Sequence, residues 1–438
     1  MLRNILKKIL TLLAKLYLRR YKPEIIAVTG NVGKTSAKEA IAAVMSIQYR
    51  VRASGGNLNN DIGVPLAILG DWSERYYREG PSLGFWFEVI LAGIVFLIIP
   101  HDYPEVLILE YGADRPGDIG RLAHIYPPHV GVVTAVGETP VHVEFFASPQ
   151  EVAQEKSKLI KALGPDDYAV LNYDDLTVLD MKDRTRAKVS TFGAGEGADV
   201  RISNFDFILD SEGRPEGVGF KIHYESGFVP FKIFGSLGLT QALSAAAGIA
   251  VGTVYKLNLV DMAAALGSYN TPPGRMRILP GIRNSIIIDD TYNAAPASMH
   301  AALETLRDIP ASPRVPSVIK RKIAVLGDML ELGDHSIGAH QKIGDLAARV
   351  VDILVAVGEK AKLIADAASD QIPQENIFTF DDSDEAKVLV QKIIEEGDIV
   401  LVKGSQGKRM EKIVEEIMAQ PEHKQELLVR QSKKWLNN

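Results

Sequence analysis

Short apolar runs, each closing on a polar residue or a glycine, recur along this 438-residue chain and alternate with stretches of helical period. Residues 25–28, 106–110 and 130–134 form one such group, and 285–290, 322–328, 353–358 and 398–404 form a second. Strands covered on both faces carry continuous apolar runs, so these read as buried parallel strands. With helices between them, each group predicts a doubly wound α/β sheet. Ligands of such sheets gather beyond the carboxyl ends of the strands, which places Glu110 and Thr134 for chemistry. Residues 187–234 alternate and hold more glycine, predicting an antiparallel patch. An Ala-rich helix is expected over 243–254, and the chain breaks at Thr271-Pro272-Pro273-Gly274. Three segments follow from this reading: 1–22, 23–271 and 272–438.

Two stretches stand apart. In residues 1–22, Leu2, Ile5, Leu6, Ile9, Leu13, Leu16 and Tyr17 recur at helical spacing, with Arg3, Lys7, Lys8, Lys15, Arg19, Arg20 and Lys22 largely opposite and no acid before Glu24. Such a basic amphipathic helix suits an anionic membrane surface or the flank of its own domain. Charges interrupt the apolar run and no small-residue cleavage site follows, which weighs against a signal peptide. Residues 83–99 approach spanning length, but Glu88 lies inside and Pro100 ends the run. One span would put parts of one domain on opposite sides of a bilayer, so a buried helix, or an interfacial one paired with 1–22, is expected.

A formal net charge of −6 gives no reason to expect a nucleic-acid partner. Cysteine is absent, which excludes disulfides, thiolate zinc sites and a cysteine nucleophile, and fits a reducing cytoplasm.

The run Thr29-Gly30-Asn31-Val32-Gly33-Lys34-Thr35-Ser36 lies between an apolar strand and a helical stretch. In that setting glycines let backbone N–H groups converge on phosphate oxygens, the helix N-terminus adds its positive end, Lys34 neutralises charge and Thr35 can ligate Mg²⁺. Val28 occupies the place of the first glycine of the usual spacing. The context still predicts nucleotide binding, with ATP as the ligand.

These residues, with several later blocks, resemble the Mur ligase family, and within it the MurF type. The blocks are Asn57-Leu58-Asn59-Asn60-Asp61, Glu110-Tyr111-Gly112-Ala113-Asp114, His142-Val143-Glu144, Glu155-Lys156, Pro273-Gly274-Arg275, Asp289-Asp290-Thr291-Tyr292-Asn293-Ala294-Ala295-Pro296, Leu326-Gly327-Asp328-Met329 and Val402-Lys403-Gly404-Ser405. The resemblance implies an ATP-dependent ligase of peptidoglycan precursor assembly. ATP phosphorylates a substrate carboxylate, and an amine attacks the acyl phosphate to give an amide, with an amino acid or a dipeptide such as D-Ala-D-Ala as the amine.

It also implies roles. Thr35, Glu110, His142 and Lys156 would serve as metal ligands, Lys156 as a carbamate, because a free ammonium cannot ligate a cation. Lys34, Lys156 and Arg275 would be catalytic. Gly30 to Ser36, Gln241, Arg275, Asp290, Tyr292 and Asn293 would meet the nucleotide. Asn57, Asn59 and Asn60 would orient the carboxyl substrate, and Asp328, Lys403 and Ser405 the amine. Singly, a histidine such as His142 is more often a surface or core-edge residue and Lys156 a helix charge; Asn57, Asn59 and Asn60 equally suit Asx turns.

The likeness has three gaps. The MurF type opens with a uridine-nucleotide domain, whereas the glycine loop here begins near residue 29. The stretch from Pro65 to Glu110 is long for the family, with an apolar insertion over about 72–101. Leu237 replaces a histidine of the family's pattern, and Gln241 the asparagine that usually faces adenine. The first two suit a membrane-presented, lipid-linked carboxyl substrate at the inner face of the plasma membrane, contacted through 1–22 and 83–99. Other readings are a folate, poly-glutamate or cyanophycin-like ligase of the same superfamily, or a nucleotide-binding scaffold without catalysis.

Overall fold

The computed structural model describes residues 2–99, 101–138, 143–310, 319–432 and 435, and two sheets organise them. The first holds β1 (Glu24–Thr29), β2 (Val51–Ala53), β3 (Val106–Glu110), β4 (Val130–Val133), β5 (Tyr168–Asn172), β6 (Lys188–Gly193), β7 (Val200–Leu209), β8 (Pro215–Tyr224) and β9 (Gly227–Phe234). Their order is β2-β3-β1-β4-β5-β6-β7-β8-β9. Neighbours from β2 to β7 are parallel, and β7, β8 and β9 form an antiparallel meander. The antiparallel patch expected from 187 therefore begins later, because β6 extends the parallel sheet.

β1 lies between β3 and β4, so the chain leaves the sheet here with a neighbour on each side. That is the switch point where α/β sheets open a crevice.

The second sheet contains β10 (Arg277–Pro280), β11 (Ile286–Asp290), β12 (Arg321–Gly327), β13 (Ile353–Val357), β14 (Ile377–Phe380) and β15 (Asp398–Lys403), in the order β10-β11-β15-β12-β13-β14. All neighbours are parallel except β10 and β11. One apolar core runs from β1 and β4 through the helix Leu239–Val254 to the helix Pro296–Asp308 and the second sheet.

The opposite face of the first sheet is covered by α1 (Leu2–Tyr21), followed in the chain by α2 (Lys34–Met45), which lies on the other face, and by α3 (Gly63–Leu69), α4 (Ser73–Glu79) and α5 (Leu83–Ile98). α1 buries Leu10, Leu13, Ala14 and Tyr17, each worth up to about 2 kcal/mol of transfer free energy for the larger side chains. Tyr17 and Tyr21 enter an aromatic cluster with His101 and Tyr103, Tyr21 stacked on Tyr103 at 4.4 Å between centroids.

The single apolar stripe expected on 1–22 is thus two stripes. One packs on the domain, while Leu2, Ile5, Leu12 and Leu16 face outward. α5 is not a buried helix. Phe85, Val89 and Gly93 face inward, and Leu13 approaches Gly93 so closely that an added Cβ would sit 3.3 Å from its Cδ1. Among the described residues no helix is long and apolar enough to cross a membrane.

Candidate active site

The glycine loop turns on two residues that a side chain would disturb. Gly30 has φ +143°, and a Cβ there would run into the Thr134 hydroxyl; Gly33, at φ +84°, starts α2. Left-handed backbone suits glycine because it has no Cβ to clash. The N–H groups of Asn31 and Val32 donate to Ala135 O at 2.6 and 3.2 Å, and Thr134 Oγ1 donates to Val32 O at 2.7 Å. Thr134, placed for chemistry by its position, instead braces the loop. Lys34 folds back, with Nζ 3.4 Å from Asn31 O, and burial lowers its pKa.

Glu110 ends β3 beside this loop and is 1% exposed. Thr35 Oγ1 donates to its Oε2 at 3.2 Å, and Asn59 Nδ2 to its Oε1 at 3.1 Å. Lys156 reaches the same place from α6–α7: after α6 (Asp118–Ile125), the helix α7 (Pro149–Lys161) begins with Ser148 as N-cap and Pro149 in its first turn. The carboxylate of Glu155 accepts from the backbone N–H groups of Gly117 and Ile119, at 2.8 Å each, which fixes α7 against the start of α6. Burial, with a smaller contribution from the nearby Lys34 ammonium, brings the Lys156 amine down to about 7.

The second half closes over this group. Arg275 Nη2 donates to Thr35 Oγ1 at 3.2 Å, and the guanidinium lies 3.8 Å over the Tyr292 ring. Tyr292 Oη in turn donates to Asn57 Oδ1 at 3.0 Å. Asp290 and Lys403 form a buried ion pair at 2.6 Å, and Lys403 also donates to Asn293 O at 3.0 Å. Ser405 Oγ accepts from Leu330 N at 2.9 Å.

A cavity of about 300 Å³ gathers Lys34, Thr35, Asn57, Asn59, Asn60, Glu110, Lys156, Arg275, Tyr292 and Ser405. A smaller one of about 60 Å³ adjoins it at Asn31, Gly33, Arg275 and Asn293, and adds Val32, Ser36, Gln241, Asp290 and Lys403. Gly30 lines neither cavity and packs against Thr134 and Ala135. Asp328 lines neither cavity: it pairs with Lys408 at 3.0 Å and accepts from Ala361 N at 2.7 Å, holding the loops after β12 and β13 together. Asn60 Oδ1 accepts from Ile62 N and Gly63 N, an Asx turn that starts α3, while the residue also lines the larger cavity. His142 lies outside the described residues.

Three buried polar atoms at this junction lack a hydrogen-bond partner: Asn31 Oδ1, Gln241 Oε1 and Arg275 Nε. Each such atom costs about 1–3 kcal/mol, so a polar ligand that supplies partners would relieve the junction. A phosphate oxygen would accept from Arg275 Nε, whereas the amide oxygens of Asn31 and Gln241 call for a donor, such as the amino group of a base, or a cation. The hydroxyl of Thr35 and the carboxylate of Glu110 are hard oxygen donors side by side, which fits Mg²⁺. Among the described residues no group of three or more His, Asp or Glu side chains gathers around one point.

Two family descriptions match the chain: the Mur ligase middle domain over residues 95–250, and the Mur ligase, glutamate ligase domain over 274–406. The UDP-N-acetylmuramoyl-tripeptide–D-alanyl-D-alanine ligase of Mycobacterium tuberculosis is 32% identical over 413 residues, covering 90% of this chain and 73% of that protein. The chain belongs to the Mur ligase family. The enzyme of the same description from Bacillus subtilis is 28% identical over 93% of this chain and 79% of its own. The MurF ligase structure from Thermotoga maritima, in complex with ADP, superposes with a TM-score of 0.73 at 26% identity, covering 94% of this chain and 83% of that one. This Mur ligase is an ATP- and Mg²⁺-dependent, ADP-forming enzyme that makes amide bonds.

Some residues of the Mur ligase site have no signature in the sequence. Arg430, near the end of the chain, donates to Tyr292 O at 2.5 Å and Thr291 O at 2.9 Å while pairing with Glu411 at 2.8 Å. It straps the Tyr292 loop from behind. Tyr77 Oη accepts from Asn57 N at 2.7 Å. An isolated arginine and tyrosine carry no local pattern that would have marked them.

Proposed function

We propose that this Mur ligase joins D-alanyl-D-alanine, or an amine of the same kind, to the carboxyl of a peptidoglycan precursor peptide. The observation that carries the reading is the convergence of Lys34, Thr35, Glu110, Lys156 and Arg275 on one cavity at the junction of the two sheets. The curated relatives that match over nine-tenths of the chain support the choice of substrates.

Each residue then has work that follows from its chemistry. Lys34 and Arg275 set fixed positive charge beside the triphosphate, which the transfer of a phosphoryl group to a carboxylate needs more than covalent help. Mg²⁺ would be held by Thr35, Glu110 and a carbamylated Lys156, and supplies charge neutralisation at the phosphates. An amine titrating near 7 is partly neutral in the cell, and only the neutral amine adds CO₂ to become a carboxylate-like ligand. Asn57 and Asn59 face the same cavity and are the candidates to orient the acyl substrate. Leu330 and Ser405 border it on the other side, where the amine would enter. Gln241, which lines the smaller cavity and whose buried Oε1 lacks a hydrogen-bond partner, is the candidate for the base edge. The enzyme acts in the cytoplasm, with the basic α1 turned to the inner membrane face.

The test is phosphate release with ATP, D-alanyl-D-alanine and a muramoyl tripeptide, supplied singly and together, with mass detection of the new amide. Release only when both are present supports the reading. Release with a folate and glutamate pair instead would overturn it.

A further inference from the structure

We infer that the outer face of α1 and α5 is a docking surface for an anionic phospholipid bilayer, and that docking seats the carboxyl-substrate loop at the lipid surface. The name of that loop rests on the ligase reading; the docking itself does not.

α5 turns Leu83, Phe87, Leu91, Ile94 and Ile98 outward at spacings of four, four, three and four, one continuous stripe along the helix. Leu83, Phe87 and Ile98 are 82%, 69% and 73% exposed. On α1, Leu2, Ile5, Leu12 and Leu16 make a second outward stripe, and the helices meet where Leu13 lies against Gly93. Folded chains seldom leave so much contiguous apolar surface in water.

The charge around these stripes decides what covers them. Arg3, Lys8, Lys15, Arg19, Arg20 and Lys22 are exposed on or beside α1, which has no acid. The one acid of α5, Glu88, is held by Arg75 at 2.5 Å. A chain with a net charge of −6 thus concentrates at its apolar face cations that have no acidic partner among the described residues. A second copy of the chain docking there by two-fold symmetry would bring like charges together. A bilayer bearing anionic headgroups offers hydrocarbon to the stripes and phosphate to the cations at once.

Both ends of the substrate loop are tied to these helices. Asp61 is paired with Lys7 of α1 and with Arg121 at 2.8 Å. Asn57 N donates to Tyr77 of α4, and α4 is joined to α5 through Arg75–Glu88 and the packing of Tyr76 on Phe85. A bilayer under α1 and α5 therefore bears on the helices that hold the loop of Asn57 and Asn59. The carboxyl substrate this arrangement favours is one held at a membrane by a lipid.

The experiment is co-sedimentation of the full chain with vesicles of phosphatidylcholine alone, or mixed with phosphatidylglycerol. The expected result is binding to the mixed vesicles, weakened by salt. Phe87→Ser/Leu91→Ser/Ile98→Ser and Lys8→Gln/Lys15→Gln/Arg19→Gln should each lower that binding by about tenfold or more, with circular dichroism and ATP turnover in free solution unchanged. No sedimentation of the wild type with either vesicle would overturn the proposal. So would equal binding by the apolar variant, or a wild-type dimer that both variants dissociate. Vesicle binding by a protein that never forms an amide would uphold docking and sink the ligase reading alone.

Discussion

The junction between the two sheets and the outer face of α1 and α5 are opposites in what they leave unmatched. At the junction, polar atoms are buried without partners: Asn31 Oδ1, Gln241 Oε1 and Arg275 Nε. On the outer face, apolar side chains stand in water without neighbours: Leu83, Phe87, Ile98. Each departs from ordinary protein construction in the direction that its own ligand would correct. A nucleotide and its metal offer phosphate acceptors for Arg275 Nε and an amino donor or a cation for the two amide oxygens, whereas a bilayer offers hydrocarbon bounded by negative charge. Unmatched groups are informative because folding alone gives no reason to keep them.

The comparison can be broken at either end. The largest effect is expected from Lys34→Ala, which removes the fixed counter-charge of the phosphates; turnover should fall by about a thousandfold, read as phosphate release at saturating ATP. Lys156→Ala should fall by about a hundredfold, and added formate or acetate should restore part of the rate by occupying the vacated ligand position. Full activity without such additives would remove the metal role of Lys156.

Stability sharpens the contrast. The Lys156 pKa lies near 7 in the folded chain against 10.5 when unperturbed, so between these values the unfolded chain binds more protons. Its contribution therefore makes the protein more stable as pH rises from about 7 toward 10.5. In buffer freed of bicarbonate, Lys156→Met should raise Tm at pH 7 and flatten that rise. The smallest effect belongs to the outer face. Leu91→Ser should change stability by less than about 0.5 kcal/mol, while Val89→Ser, two residues away and fully buried, should cost about 2 kcal/mol. Chemical denaturation of both variants measures the difference.

Much of this was legible before any fold was known. Buried parallel strands announce themselves as uninterrupted apolar runs, and β1, β3, β11, β12, β13 and β15 all lie where those runs predict them. Gly30, Gly33, Lys34 and Thr35 carry a local signature because a phosphate cradle is built from neighbours in the chain. The alternating pattern from 187 predicts an antiparallel patch one strand too early, since β6 exposes its first two residues and so lacks the continuous apolar run of a buried parallel strand. The division of α1 into an inward and an outward apolar stripe was beyond reach, because a helical wheel shows which residues share a side and not what that side touches. Asp328 shows the same limit in the site: its block is recognisable, yet its carboxylate is occupied by Lys408 and Ala361 N rather than lining the cavity.

What the sequence by itself determined are the features made by near neighbours: the strand and helix order, the glycine loop, the cationic first helix and the family. What only the tertiary structure decided is which distant residues meet. Arg275 reaching Thr35, Tyr292 reaching Asn57, and Arg430 strapping Tyr292 join positions 240, 235 and 138 residues apart. No local spacing encodes such contacts, because they follow from two sheets packing through one shared core.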